Sequence, residues 1–191
     1  MSARKIVGIS GSVRRPSRTT GLVRTIVDGL QDLGSVHLLE LVDEAPHLFS
    51  SLTAATLSPR AARVVDLVES ADLLVVGSPV YRASYTGALK HLFDLVDYRS
   101  LQGTPVVLAA TGGTPLHGLM TEHQLRPLFG FFGSRTIPTA VYALDSDFND
   151  YELANERVQD RVDRATAEAR QQLELQTLSA RPVPVALPVD A

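Results

Sequence analysis

Apolar residues recur along this chain in two alternating rhythms, short unbroken runs and stripes at helical spacing. Residues 5–9 read as a buried strand, and Leu22, Val23, Ile26, Val27, Leu30 and Leu33 repeat behind them as one face of a helix. Residues 36–41 predict a second strand, and the polar, proline-bearing stretch 43–58 predicts irregular chain with room for a short helix. Pro59 opens a helix carrying Ala62, Val65, Leu67 and Val68, and residues 71–77 ("ADLLVVG") form a strand with almost no polar side chain. Leu89, Leu92, Phe93 and Val96 mark the next helix, and residues 106–110 the next strand. Residues 116–131 read as a helix interrupted by Pro127, and residues 136–142 as a fifth strand. Val158, Val162, Ala165, Ala169 and Leu173 mark a long terminal helix. Residues 1–177 make one domain; Pro182, Pro184 and Pro188 disfavour helix in residues 178–191, which read as a disordered or extended tail.

Strands that alternate with helices imply an α/β fold, a doubly wound parallel sheet with helices on both faces. Five strands suggest the order 2-1-3-4-5, in which ligands bind at the carboxyl ends of strands one, three and four, where the winding reverses. Three loops with distinctive chemistry follow those strands.

The first, "GSVRRPSRTT", joins a strand to a helix, so the free N–H groups and positive dipole end of that helix attract an anion. Ser10, Ser12, Ser17, Thr19 and Thr20 add neutral donors, and Arg14, Arg15 and Arg18 add charge. Ser17, Thr19 or Thr20 can equally serve as the helix cap. The loop matches neither the G-x-x-x-x-G-K-[ST] of triphosphate binders nor the G-x-G-x-x-G of dinucleotide binders, so a terminal monoester fits better. The chain has no cysteine, which excludes a cysteine-dependent phosphatase. The second loop, Ser78-Pro79-Val80-Tyr81, offers backbone groups and an aromatic edge without charge, with Arg82 and Tyr85 close behind. Tyr81 and Tyr85 can also simply cover the end of the sheet. The third, Thr111-Gly112-Gly113-Thr114, lets a flat ring approach the backbone, or is a plain turn. A phosphate grip combined with two uncharged loops selects a ligand with a phosphate tail and a flat polar ring, a description that flavin mononucleotide (FMN) fits. Hydride transfer between stacked rings needs no acid/base pair of side chains.

Composition narrows the alternatives. At 191 residues, 45% hydrophobic, the chain suits one domain with a full core. A net charge of −3, with the visible basic cluster confined to one loop, argues against nucleic-acid binding. No run is long enough for a signal peptide or a membrane span, and a cysteine-free chain fits a reducing compartment, so a soluble cytoplasmic protein is expected. His37, His47, His91, His117 and His123 lack metal-ligand spacing, no G-x-S-x-G elbow occurs, and Asp145, Asp147 and Asp150 read as solvated surface charge.

From about Ile6 to the terminal helix, "GSVRRPSRTT", "SPVYRASYTGALKHLFDLVD" and "ATGGTPLHGLMTEHQLRPLFGFFG" occur in order. On these the chain resembles the flavodoxin-like NAD(P)H-dependent FMN reductases, and among them the reductase components of two-component alkanesulfonate and methanesulfonate monooxygenases. The resemblance implies that Ser12, Arg14, Ser17, Arg18, Thr19 and Thr20 surround the FMN phosphate. It places Pro79, Val80 and Tyr81 along the ring with Thr111, Gly112 and Gly113. It further implies a homotetramer, NADH favoured over NADPH, and FMNH2 delivered to a partner monooxygenase in organosulfur assimilation. Some members carry a π-helical insertion after the TGG loop, so "MTEHQLRP" is a candidate for one. His123 stands there where the alkanesulfonate type has a tyrosine, which makes the methanesulfonate or sulfone type the nearer match and His123 a candidate catalytic residue. Two rivals remain: a flavoprotein that retains FMN and reduces quinones, azo compounds or metal oxyanions, and a flavodoxin-type electron carrier.

Overall fold

A computed structural model describes residues 4–179; the predicted tail beyond them lies outside the described residues. Four parallel strands form most of the sheet: β1 (Arg4–Ser10), β2 (Gly34–Glu40), β3 (Leu73–Pro79) and β4 (Pro105–Gly112). The order is 2-1-3-4 with the fifth position beside β4, the doubly wound arrangement expected from the sequence. Val7, Ile9, Leu74, Val76 and Leu108 face one apolar layer, under helices α2 (Leu41–Leu48), α3 (Pro59–Glu69) and α4 (Gly87–Leu95). Ile6, Leu73, Val75, Val107 and Ala109 face the other, under α1 (Arg18–Asp28) and the terminal helix. Strands buried on both faces must read as continuous apolar runs, which is why the sequence located them.

Several boundaries move. The second strand begins at Gly34 and ends at Glu40, and Leu41 opens α2, so the segment expected to be irregular starts with two helical turns. The helix expected over 116–131 is three pieces: a tight turn at Pro115–His117, a π-helix at Thr121–Leu125, and α5 (Arg126–Phe131). Pro127 lies in the first turn of α5, where its missing N–H costs nothing, so it does not interrupt the helix. The π turn falls inside the segment expected to carry one. The fifth strand is split into β5 (Arg135–Thr136) and β6 (Val141–Leu144), both paired with β4. The last helix, α6, runs Glu156–Ser179, past the boundary expected at 177.

The gap between β5 and β6 is satisfied from outside the sheet. Pro138 has no N–H for the ladder, and the polar groups around it are met from outside: Thr139 donates from its N–H and hydroxyl to the Glu168 carboxylate, at 2.8 and 2.7 Å. The Arg126 guanidinium donates to the carbonyls of Ile137 and Pro138 and to the Thr136 hydroxyl. Its remaining donors hold Glu122, one turn back in the π segment, at 2.5 and 2.9 Å. The hydrogen bonds from Arg126 hold the Glu122 carboxyl below the usual carboxylate range. A depressed pKa stabilises the fold above the ordinary glutamate range, and that contribution is lost as pH falls through the lowered value. Glu122→Gln is therefore expected to be less stable than wild type at neutral pH, with the gap closing in acid; urea denaturation of both proteins at the two pH values checks this.

Candidate functional site

Loops from the carboxyl ends of β1, β3 and β4 are stitched into one floor. The Gly11 N–H donates to the Gly77 carbonyl at 2.7 Å, the Val80 N–H to the Thr111 carbonyl at 2.8 Å, and the Thr86 hydroxyl to the Gly11 carbonyl at 2.7 Å. Thr19 and Thr111, both buried, share a 2.6 Å hydroxyl hydrogen bond that ties the start of α1 to the end of β4. Above this floor lies an open cavity of about 510 Å³. Its walls include Ser12, Arg14, Ser17, Arg18 and Thr19 from the first loop. Pro79, Val80 and Tyr81 come from the second loop, and Thr111, Gly112 and Gly113 from the third. Eleven of the twelve residues expected to bind cofactor therefore meet around one space.

Thr20 is the exception. Its hydroxyl is turned to the buried Ser10 hydroxyl, 2.8 Å away, and donates to Glu40 at 3.2 Å, so it braces the loop from behind. Ser17 caps α1, accepting the Thr20 N–H, and also faces the cavity. The three arginines divide the work. Arg15 donates two hydrogen bonds to Asp43, at 3.0 and 2.8 Å, and pairs with Glu40 at 2.8 Å, so its charge is spent on the protein. Arg14 and Arg18 face the cavity with less opposition. Arg18 lies 3.6 Å from one Asp145 oxygen and 5.5 Å from the centre of the Tyr151 ring, while its Nε is buried and has no hydrogen-bond partner in the protein. A buried, unpaired guanidinium N–H at the mouth of a helix N-terminus calls for an anionic acceptor.

Asp145 and Tyr151 were not among the expected site residues. They follow β6, whose carboxyl end opens on the same edge, and that edge was the available signal. Asp145 is exposed, as expected, but also lines the cavity beside Arg18, whereas Asp147 accepts the Leu144 N–H and the Asn155 side-chain amide and is tied into the fold rather than solvated. The two glycines of the third loop differ. A Cβ on Gly112 would lie 2.7 Å from the Tyr142 hydroxyl, whereas one on Gly113 would meet only an Asp145 oxygen at 3.7 Å. Protein packing thus requires Gly112, while Gly113 leaves room above the backbone. The Tyr142 hydroxyl donates to the Thr114 carbonyl at 2.6 Å, and burial pushes its pKa up, keeping it a donor. His123 lines a separate, smaller hollow of about 160 Å³ with Leu119 and Met120, outside the main cavity. Among the described residues no cluster could hold a metal ion, and no helix is long and apolar enough to cross a membrane.

The fold and this cavity define a doubly wound α/β protein with a mononucleotide-type site at the carboxyl edge of its sheet. The model of the NADPH-dependent FMN reductases matches residues 4–149, and the chain belongs to that family. It is 48% identical to the NADH-dependent FMN reductase SfnF of Pseudomonas putida, over 84% of this chain and 88% of that one. It is 46% identical to an FMN reductase (NADPH) of Pseudomonas aeruginosa, over 86% of this chain and 90% of that one. Among solved structures, the apo form of the NADH:FMN oxidoreductase EMOB is similar at 27% identity with a TM-score of 0.76, covering 95% of this chain and 92% of that one.

Proposed function

We propose that this protein oxidises NADH or NADPH and reduces FMN, releasing FMNH2 to a separate monooxygenase. The orphaned Arg18 Nε at the N-terminus of α1 carries the reading. Ser12, Arg14, Ser17 and Arg18 hold the FMN phosphate there, with the free N–H groups of the first helical turn. Pro79, Val80 and Tyr81 border the flavin ring, and Gly113 admits it over the backbone of the third loop. Bound flavin supplies the hydride acceptor and the electron sink; the chain binds it, orients its ring and keeps one face open to the nicotinamide. The cavity is open rather than enclosed, which suits a flavin that exchanges.

The names of the relatives support FMN as acceptor and divide over the pyridine nucleotide, one naming NADH and one NADPH. Leu116 and Leu119 leave 88% and 62% of their surfaces exposed beside the π segment, apolar surface that supports assembly into a homotetramer; light scattering tests this.

The discriminating experiment is steady-state oxidation of NADH and of NADPH, with and without free FMN, on desalted protein. Free FMN is expected to accelerate the reaction severalfold or more. Protein that stays yellow with stoichiometric FMN, and gains nothing from free FMN, points instead to the retained-flavin rival. Failure of NADH and NADPH to bleach the flavin under anaerobic conditions points to an electron carrier.

A further inference from the structure

Beside the flavin cavity, and sharing Arg14, Val80 and Tyr81 with it, lies a second open hollow of about 440 Å³ whose remaining wall is Arg82. Its lining contains two guanidinium groups, one aromatic ring, one aliphatic side chain and no carboxylate. Among the described residues Arg82, like several other arginines, pairs with no acidic side chain; what sets it apart is its place beside the flavin cavity. An anionic ligand in this hollow would meet no carboxylate.

The backbone places Arg82 deliberately. Tyr81 and Ser84 exchange two hydrogen bonds, N–H to carbonyl, at 2.9 and 3.1 Å, closing a two-residue turn. Both central residues lie in the left-handed region, Arg82 at φ 52° and Ala83 at φ 65°. Such turns favour Asn-Gly; arginine and alanine are poor choices for the backbone. An unfavourable residue held in a tight turn at the rim of a site is where a functional side chain is to be sought. Tyr81, next in the chain, borders the position assigned to the flavin ring.

We propose that Arg82 binds the pyrophosphate of the incoming NAD(P)H. The proposal rests on the flavin-reductase reading above. Hydride transfer requires the nicotinamide to stack on the flavin, which leaves the rest of the dinucleotide to run outward across the cavity rim. The pyrophosphate carries two negative charges, and the forked guanidinium of Arg82 matches its oxygens. Val80 and Tyr81 line both the flavin cavity and this hollow, so a nucleotide leaving the ring stack passes them to reach Arg82. Because both NADH and NADPH carry the pyrophosphate, Arg82 serves both.

Arg82→Gly tests this without harming the turn, since glycine is the residue a left-handed position prefers. In the presence of saturating FMN, the apparent KM for NADH and for NADPH is expected to rise about tenfold, in step with the loss of a charge-assisted contact. The FMN dissociation constant is expected to stay unchanged, and the melting temperature to stay the same or rise. The KM should also respond less steeply to added salt, and Arg82→Lys should recover part of the loss. An unchanged KM for both nucleotides in an active protein overturns the proposal alone. So does a loss confined to NADPH, which would mark a 2′-phosphate contact, or a parallel loss of FMN affinity. A wild type that oxidises neither nucleotide overturns the reductase reading, and the proposal with it.

Discussion

Replacing Arg18 with alanine is expected to weaken FMN binding by about one to two orders of magnitude, as the loss of a charge-assisted contact of about 1.5–3 kcal/mol predicts, and to leave riboflavin binding nearly unchanged. Arg18 is the side chain at the head of α1 whose Nε is buried without a partner, and its 3.6 Å contact to Asp145 is long and half in solvent. An arriving phosphate therefore gains a donor that the protein does not otherwise use. Arg14→Ala should act in the same direction. Arg15→Ala should not distinguish the two ligands, because Arg15 is committed to Glu40 and Asp43, and its loss loosens the loop as a whole. Fluorescence titration of each variant with FMN and with riboflavin separates these cases. Equal losses for both ligands in Arg18→Ala would remove the phosphate from this loop.

Gly21→Ala is expected to damage stability and flavin binding together. Gly21 lies in the second turn of α1, facing the hairpin of β7 (Phe148–Asn149) and β8 (Glu152–Leu153). A Cβ there would overlap the Tyr151 carbonyl oxygen and sit 3.3 Å from its carbon. The obstacle is backbone, so relief requires the whole hairpin to retreat, and Asp150 at φ 54° leaves its turn little freedom to adjust. Overpacking of this kind costs about 1–3 kcal/mol. The retreat also lifts the Tyr151 ring from Arg18, opening the cavity on that side. Gly130→Ala is the matched control, since a Cβ there meets nothing within 4 Å and sits in helix α5. Urea denaturation and FMN titration of the two variants check the prediction. A Gly21→Ala protein with unchanged midpoint and affinity would show that the hairpin does not constrain the site.

Much of the fold was legible because the decisive pressures are local. A strand buried on both faces has to be apolar throughout, so 71–77 and 106–110 announced themselves, and the order of the sheet followed from strand and helix alternation. The helix start after the first loop was legible for the same reason: Ser17 caps it through a neighbour three residues on. Positions 136–142 were harder. Alternation predicts a single strand there, yet its middle is satisfied by Arg126 and Glu168, which no window around Pro138 contains. The π turn carries Glu122, which pairs with the same arginine, and the widening at Thr121–Leu125 cannot be read from its own residues.

The sequence by itself determined that a doubly wound sheet would bring three loops to one edge, and that the first of them carries hydroxyls and guanidiniums at the start of a helix. Burial periodicity and helix-end chemistry act over a few residues and leave their pattern in the chain. Only the tertiary structure decided which guanidinium is free: Arg15 is consumed by Glu40 and Asp43, Arg18 keeps a buried N–H unpaired, and Asp145 and Tyr151 arrive from more than a hundred residues away to frame it. Charge is written in the sequence, but its availability depends on every group within a few ångströms, and that neighbourhood exists only once the chain has folded.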